Sequence, residues 1–183
     1  MDNNPNSKAS AVHIGNGYFL TAKHTIKSKT PTVTLITSKN KTTSADILWS
    51  SLTHDLMLLH VRDMDQIYID QYNLNCDPLR RGDTLEFIGS TRTLDFISMW
   101  GNVAGNAFNA APLSERLVPV NSSFIPGMSG GAAINARGEL KGINIGVLVA
   151  TSAVTHMGPV PSFTNISYVL EAEDICFLMG KTK

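Results

Sequence analysis

Short runs of apolar, β-branched and aromatic residues recur along almost the whole chain, each cut off by Gly, Pro, Asn or a Ser/Lys turn before it reaches helical length. Runs of this kind form strands, because period-two alternation buries one face of a short extended segment. In the first half they cover 11–14, 18–21, 32–37, 45–49 and 56–61. A polar stretch from Arg62 to Arg81 interrupts the pattern, which resumes at 84–89, 96–104, 117–120, 132–135, 140–149 and 153–160. Two groups of about six strands on either side of one connector predict two closed sheets, since closure removes the exposed edges of an all-β chain. One helix is expected, over about Asn165 to Met179. Thr164 or Asn165 would cap it, with Ile166, Val169, Leu170 and Ile175 as its apolar stripe.

These patterns divide the chain into a disordered N-terminus (1–10), an N-terminal barrel (11–78), a C-terminal barrel (79–164) and a helix with a tail (165–183). At 183 residues and 43% hydrophobic content the chain can bury a core without outside support. The 15 basic and 15 acidic residues cancel, so no overall field favours nucleic acid or an anionic membrane. No stretch approaches the roughly 18 apolar residues of a membrane span, and the polar start has no apolar leader segment. Two cysteines, Cys76 and Cys176, exclude a multi-disulfide framework and suggest a reducing, cytoplasmic setting. No metal-ligand spacing occurs, and no cofactor or metal is expected.

The chemistry-bearing motif is Pro126-Gly127-Met128-Ser129-Gly130-Gly131, a serine held between glycines on a turn. This suits a nucleophile that must stand clear of its own backbone, with the N–H groups of Gly127 and Ser129 as an oxyanion hole. Such a hydroxyl needs a base, and His24 follows a strand end at Thr21-Ala22-Lys23. The base needs an acceptor to fix its tautomer, and Asp55 opens the apolar run Leu56-Met57-Leu58-Leu59. His13, His54 and His60 are weaker candidates for the base, and Asp46 is the rival acid on an alternating strand. Gly127-x-Ser129-x-Gly131 also fits the nucleophile elbow of α/β-hydrolases, but the chain order and the scarcity of helices oppose that fold.

Taken together, Gly15 to His24, His54 to Val61, Arg81-Gly82-Asp83, Pro126 to Gly131 and Gly138 to Asn144 resemble the trypsin-like peptidase superfamily. The pattern is nearest the HtrA/Deg branch and its short viral or phage relatives. The resemblance implies an all-β fold of two six-stranded antiparallel β-barrels of the chymotrypsin/trypsin type with a C-terminal helix. It implies a serine endopeptidase working through an acyl-enzyme, with His24, Asp55 and Ser129 as its triad. Quality control or polyprotein processing would be its setting, in the host cytoplasm if the chain is viral. The partner would be a protein or peptide substrate, or the chain itself within a precursor, with no membrane or nucleic acid. The alternative is an idle double barrel that binds peptide or RNA.

Two departures matter. Met128 stands where digestive relatives carry an acid that pairs with a newly cut N-terminus, so activation of that kind is not expected. After the terminal helix, the peptide-binding domain that HtrA proteins append is not expected. By the same resemblance the specificity pocket would be lined by Ser123, Phe124, Asn144, Ile145, Gly146 and Val147. Ser123 lies where relatives that cut after Lys or Arg place an Asp, which implies preference for an uncharged side chain. His156 lies where some Glu-specific relatives carry a pocket histidine.

Overall fold

The computed structural model describes residues 8–26, 31–64, 67, 69–111, 115–155 and 158–180, with only the backbone path given for 151–155. Among these residues, twelve strands fall into two antiparallel sheets. The first contains β1 (Val12–Gly15), β2 (Tyr18–Thr21), β3 (Thr32–Ile36), β4 (Thr42–Ser50) and β5 (Met57–His60), in the order β1-β2-β5-β4-β3. The second contains β6 (Thr84–Gly89), β7 (Ile97–Asn102), β8 (Phe108–Ala110), β9 (Glu115–Val120), β10 (Ala132–Ile134), β11 (Leu140–Thr155) and β12 (Gly158–Glu171). Their order is β7-β6-β10-β11-β12-β9-β8. The expected six-and-six division is thus five and seven among the described residues.

Beyond β7 the chain returns to the opposite side of its own sheet. A bridge joins Val103 to Val120, Asn121 N–H donates to Asn102 O at 2.9 Å, and Ala104 N–H donates to Pro119 O at 2.8 Å. These bonds tie the end of β7 to β9, as a ring of strands requires. Phe87, Leu85, Val118, Val120, Phe124, Met128 and Val169 fill the interior of this sheet. Phe19, Ala45, Met57, Leu59 and Val61 fill the first. A third cluster, including Leu20, Leu56, Ile143, Leu170 and Ile175, draws on both sheets and the helix.

The helix is shorter than its stripe predicted. Residues 165–171 continue β12, and α1 spans only Ala172–Leu178. Ile166-Ser167-Tyr168-Val169 satisfies a strand as well as a helix. Tertiary pairing decides the matter, because Ser167 to Leu170 lie opposite Val120 to Leu117 on β9 while the same strand pairs with β11. Lys8 and Ser10, expected in a disordered start, are tied into the molecule, Lys8 by an ion pair with Asp95 at 3.0 Å and Ser10 by a hydrogen bond to Gly127 O; residues 1–7 of that expected start lie outside the described residues. Cys76 and Cys176 are joined in a disulfide with a Cα–Cα distance of 5.9 Å, which removes the cysteine argument for a reducing compartment. Among the described residues no helix is long and apolar enough to cross a membrane.

Candidate active site

β2 is an inner strand of the first sheet, and its last residue, Thr21, leads through Ala22 into a single 3-10 turn, Lys23–Thr25. Thr25 Oγ1 donates to Ala22 O at 2.6 Å, which tightens the turn that presents His24. Asp55 sits immediately before Leu56 and β5, the strand paired with β2, so adjacent strands deliver the two residues to the same end of the sheet. Ser51 Oγ accepts the N–H of His54 at 3.0 Å and steadies the loop ahead of Asp55.

The pair is joined at two points. Asp55 Oδ1 accepts the main-chain N–H of His24 at 2.8 Å, and Oδ2 lies 2.5 Å from His24 Nδ1. An ionised carboxylate only accepts, so this geometry places the imidazole proton on Nδ1 and leaves Nε2 as the basic nitrogen on the far side of the ring. Asp55 is buried, whereas the His24 side chain is about half exposed (51%), so the ring faces solvent from an anchored base.

The glycines around Ser129 allow a conformation that side chains resist. Gly127 and Gly130 have φ of +108° and +86°. A Cβ on Gly130 would stand 2.1 Å from Ser10 O, 2.4 Å from Thr21 Oγ1 and 3.0 Å from Ala22 N, so the serine loop lies directly against the turn that carries His24. Gly130 N–H donates to Asn144 O at 2.7 Å, Asn144 N–H to Gly131 O at 2.9 Å, and Gly131 N–H to Met128 O at 3.0 Å. Met128 is wholly buried beneath the loop. Ser129 Oγ donates to Ile145 O at 2.8 Å. Among the described residues, the N–H groups of Gly127 and Ser129 have no hydrogen-bond acceptor.

The competing residues are occupied elsewhere. His13 is buried and stacks on Phe19 at 4.8 Å, and burial pushes its imidazole below the usual range. His60 packs against Tyr18 at 4.7 Å, and His54 Nδ1 lies 2.9 Å from Thr53 Oγ1. Asp46 accepts from Arg62 Nε at 2.7 Å. Among the described residues no group of three or more His, Cys, Asp and Glu side chains could hold a metal.

The expected pocket residues separate into two sets. Phe124 is a core residue packed edge-on against Phe87 at 5.1 Å, and its N–H donates to Ser167 Oγ at 2.9 Å. Asn144 is fully buried, with Nδ2 donating to Ile88 O at 3.2 Å. Ile145 is also buried in the shared core, and its carbonyl faces the serine. All three are buried: Phe124 in the loop after β9, and Asn144 and Ile145 as consecutive residues at the register shift of β11. Ser123, Gly146 and Val147 remain half-buried, and Ser123 Oγ lies 3.1 Å from Thr164 O and 3.0 Å from Asn165 Oδ1. His156 lies outside the described residues.

One buried acid had no sequence signal beyond its place before an apolar run. Glu115, at the start of β9, accepts the N–H of Asp55 at 2.7 Å and so ties the second sheet to the candidate acid. Burial, reinforced by the nearby Asp55 charge, pushes its carboxyl above the usual range against the opposing effect of that hydrogen bond.

Residues 9–143 match the family model described as a trypsin-like peptidase domain. The chain is 28% identical over 137 residues to the serine protease Do-like HtrA of Lactobacillus helveticus, an alignment covering 71% of this chain and 32% of that protein. The chain therefore spans about a third of the length of that curated relative. Among solved structures, an HtrA-type protease AlgW with decapeptide superposes with a TM-score of 0.76 at 23% identity, covering 94% of this chain and 50% of that one. The Rv3671c protease in its inactive form gives a TM-score of 0.74 at 15% identity, covering 94% of this chain and 82% of that one. At these identities the structures speak to the fold alone.

Proposed function

Because the chain belongs to the trypsin-like peptidase family, we propose that it is a serine endopeptidase in which Ser129 is the nucleophile, His24 the general base and Asp55 the residue that orients the base. The observation that carries this reading is the two-point attachment of His24 to Asp55 beside the glycine-held serine. In the reaction, Ser129 Oγ exchanges its bond to Ile145 O for one to His24 Nε2 and attacks the scissile carbonyl carbon while the imidazole takes its proton. The carbonyl oxygen becomes an oxyanion that accepts from the N–H groups of Gly127 and Ser129, each worth about 3 to 4 kcal/mol in comparable sites. Collapse expels the amine, which receives its proton from His24, and leaves an acyl-enzyme. Water, deprotonated by the same imidazole, then releases the acid.

The substrate is a protein or peptide, a reading supported by relatives whose names pair them with a decapeptide or a tripeptide. Half-buried Ser123, Gly146 and Val147 bring no charge to the pocket, and an uncharged side chain before the scissile bond follows. Incubation of the wild type and Ser129→Ala with a peptide library, read by mass spectrometry, tests both statements. Cuts made by the wild type alone after uncharged residues are expected. Cuts made equally by Ser129→Ala would remove the mechanism, and a folded wild type that cuts nothing would favour the idle, peptide-binding double barrel.

A further inference from the structure

Ser10 lies just ahead of β1, in a stretch whose composition suggests nothing but a tail, yet its polar groups reach three separate segments. Its N–H donates to Ser129 O at 2.9 Å. Its Oγ donates to Gly127 O at 2.9 Å and accepts from Ser90 N–H at 2.8 Å. Its carbonyl accepts from Thr21 Oγ1 at 2.7 Å, and Thr21 is buried three residues before His24. One residue therefore links the sheet that carries His24 to the loop that carries Ser129, with both its donors spent on that loop.

The placement matters because of which peptide groups it holds. Gly131 N–H already fixes Met128 O, and with it the peptide whose N–H belongs to Ser129. Gly127 has no side chain and a φ of +108°, and the peptide that follows it is held on its N–H side by Met128 N–H donating to Ile125 O at 3.0 Å; rotation at Gly127 would turn its own N–H away from the oxyanion position. The Ser10 hydroxyl grips Gly127 through its carbonyl, one peptide away from that N–H. The bond between Ser10 N–H and Ser129 O holds the other end of the loop in register with β2.

We infer that Ser10 is a positioning residue for the oxyanion donors: it sets the orientation of Gly127 and the register of Ser129 against the His24 turn. The inference rests on the reading of Ser129 as nucleophile. Full removal of one oxyanion donor costs roughly 100- to 1,000-fold in rate. Loosening a donor without deleting it is expected to cost less, about tenfold or somewhat more.

The test uses the full chain as wild type, Ser10→Ala, Ser10→Thr and Ser129→Ala, with two readouts. The first is the rate of labelling by a fluorophosphonate, in which Ser129 Oγ displaces fluoride from phosphorus, resolved into the initial affinity and the maximal rate. Ser10→Ala should lower the maximal rate about tenfold or more with the affinity unchanged. Ser10→Thr, which keeps the hydroxyl, should recover to within about threefold. The second readout is hydrogen exchange over residues 125–131, which should quicken in Ser10→Ala and stay near wild type in Ser10→Thr. A maximal rate for Ser10→Ala within twofold of wild type, or unchanged exchange in that segment, would overturn the inference. Absence of labelling in the wild type would instead overturn the nucleophile reading, and the exchange comparison would still decide what Ser10 holds. If Ser10→Ala does not fold, Thr21→Val removes only the hydroxyl that anchors the Ser10 carbonyl. It should slow labelling in the same direction, and equal labelling would again overturn the inference.

Discussion

The disulfide offers a quantitative test of how the C-terminal helix is held. Cys76 lies in the segment after the first sheet and Cys176 in α1, 100 residues apart in sequence. In the unfolded chain a cross-link closing a loop of that size removes conformational entropy worth about 4.7 kcal/mol at 25 °C, if the bond sits in the native structure without strain. That is a large part of the roughly 5 to 15 kcal/mol by which a domain is ordinarily stable. For a chain of this length each kcal/mol moves the melting temperature by about 2 to 4 °C, so breaking the bond should lower it by roughly 10 to 20 °C. The assay is thermal unfolding of the oxidised protein with and without dithiothreitol, with Cys76→Ala/Cys176→Ala as a control that reductant should not affect. Thiols are titrated in denaturant on protein never exposed to reductant. Two free thiols per chain would show that the bond does not form. A bond that is present but whose reduction moves the melting point by less than about 3 °C would refute the loop-entropy argument.

Other consequences follow from single residues. Asp55→Asn keeps an oxygen for one of its two bonds to His24 but cannot hold the ring in the required tautomer, and turnover should fall by about 10⁴-fold, with residual activity, in a peptide-cleavage assay. Gly130→Ala forces a Cβ to within 2.1 Å of Ser10 O at a φ of +86°, so the variant should lose about 2 to 5 kcal/mol by urea unfolding, together with its activity. Glu115 has a carboxyl pushed above its ordinary 4.5 by burial first, so its contribution to stability is fully present below 4.5 and is lost as pH rises through its folded value. Glu115→Gln keeps an acceptor for Asp55 N–H and removes the ionisation. Its urea midpoint relative to wild type should therefore be more favourable at pH 7 than at pH 4, and the reverse order would contradict the assignment.

The strands were the most legible part of the fold, because alternation and turn residues report directly on which face is buried. The apparent helix over 165–179 shows where that signal fails: Ile166, Val169 and Leu170 fit a helical stripe, but pairing with both β9 and β11 makes residues 165–171 a strand. β8, three residues of mixed polarity, owes its existence to β9 and carries no periodic signal. The cysteine pair could not be read from spacing, since two residues 100 positions apart meet only in the folded chain. At the site, glycine spacing and strand ends single out His24, Asp55 and Ser129 as candidates. The structure brings His24 and Asp55 into contact and lays the serine loop against the His24 turn. Residues that bear on the site through long-range contacts were the least legible. Phe124, Asn144 and Ile145, expected in the pocket, are buried, while Ser10 and Glu115 form hydrogen bonds that depend on long-range contacts.

Whether Ser129 is chemically activated is tested most directly by intact-mass analysis after exposure to a serine-directed fluorophosphonate, on wild type, Ser129→Ala and His24→Ala, because no knowledge of the substrate is needed. A single adduct is expected on the wild type, none on Ser129→Ala and almost none on His24→Ala, with all three proteins folded. Equal labelling of wild type and Ser129→Ala, or a folded wild type that takes up no label, would contradict such activation.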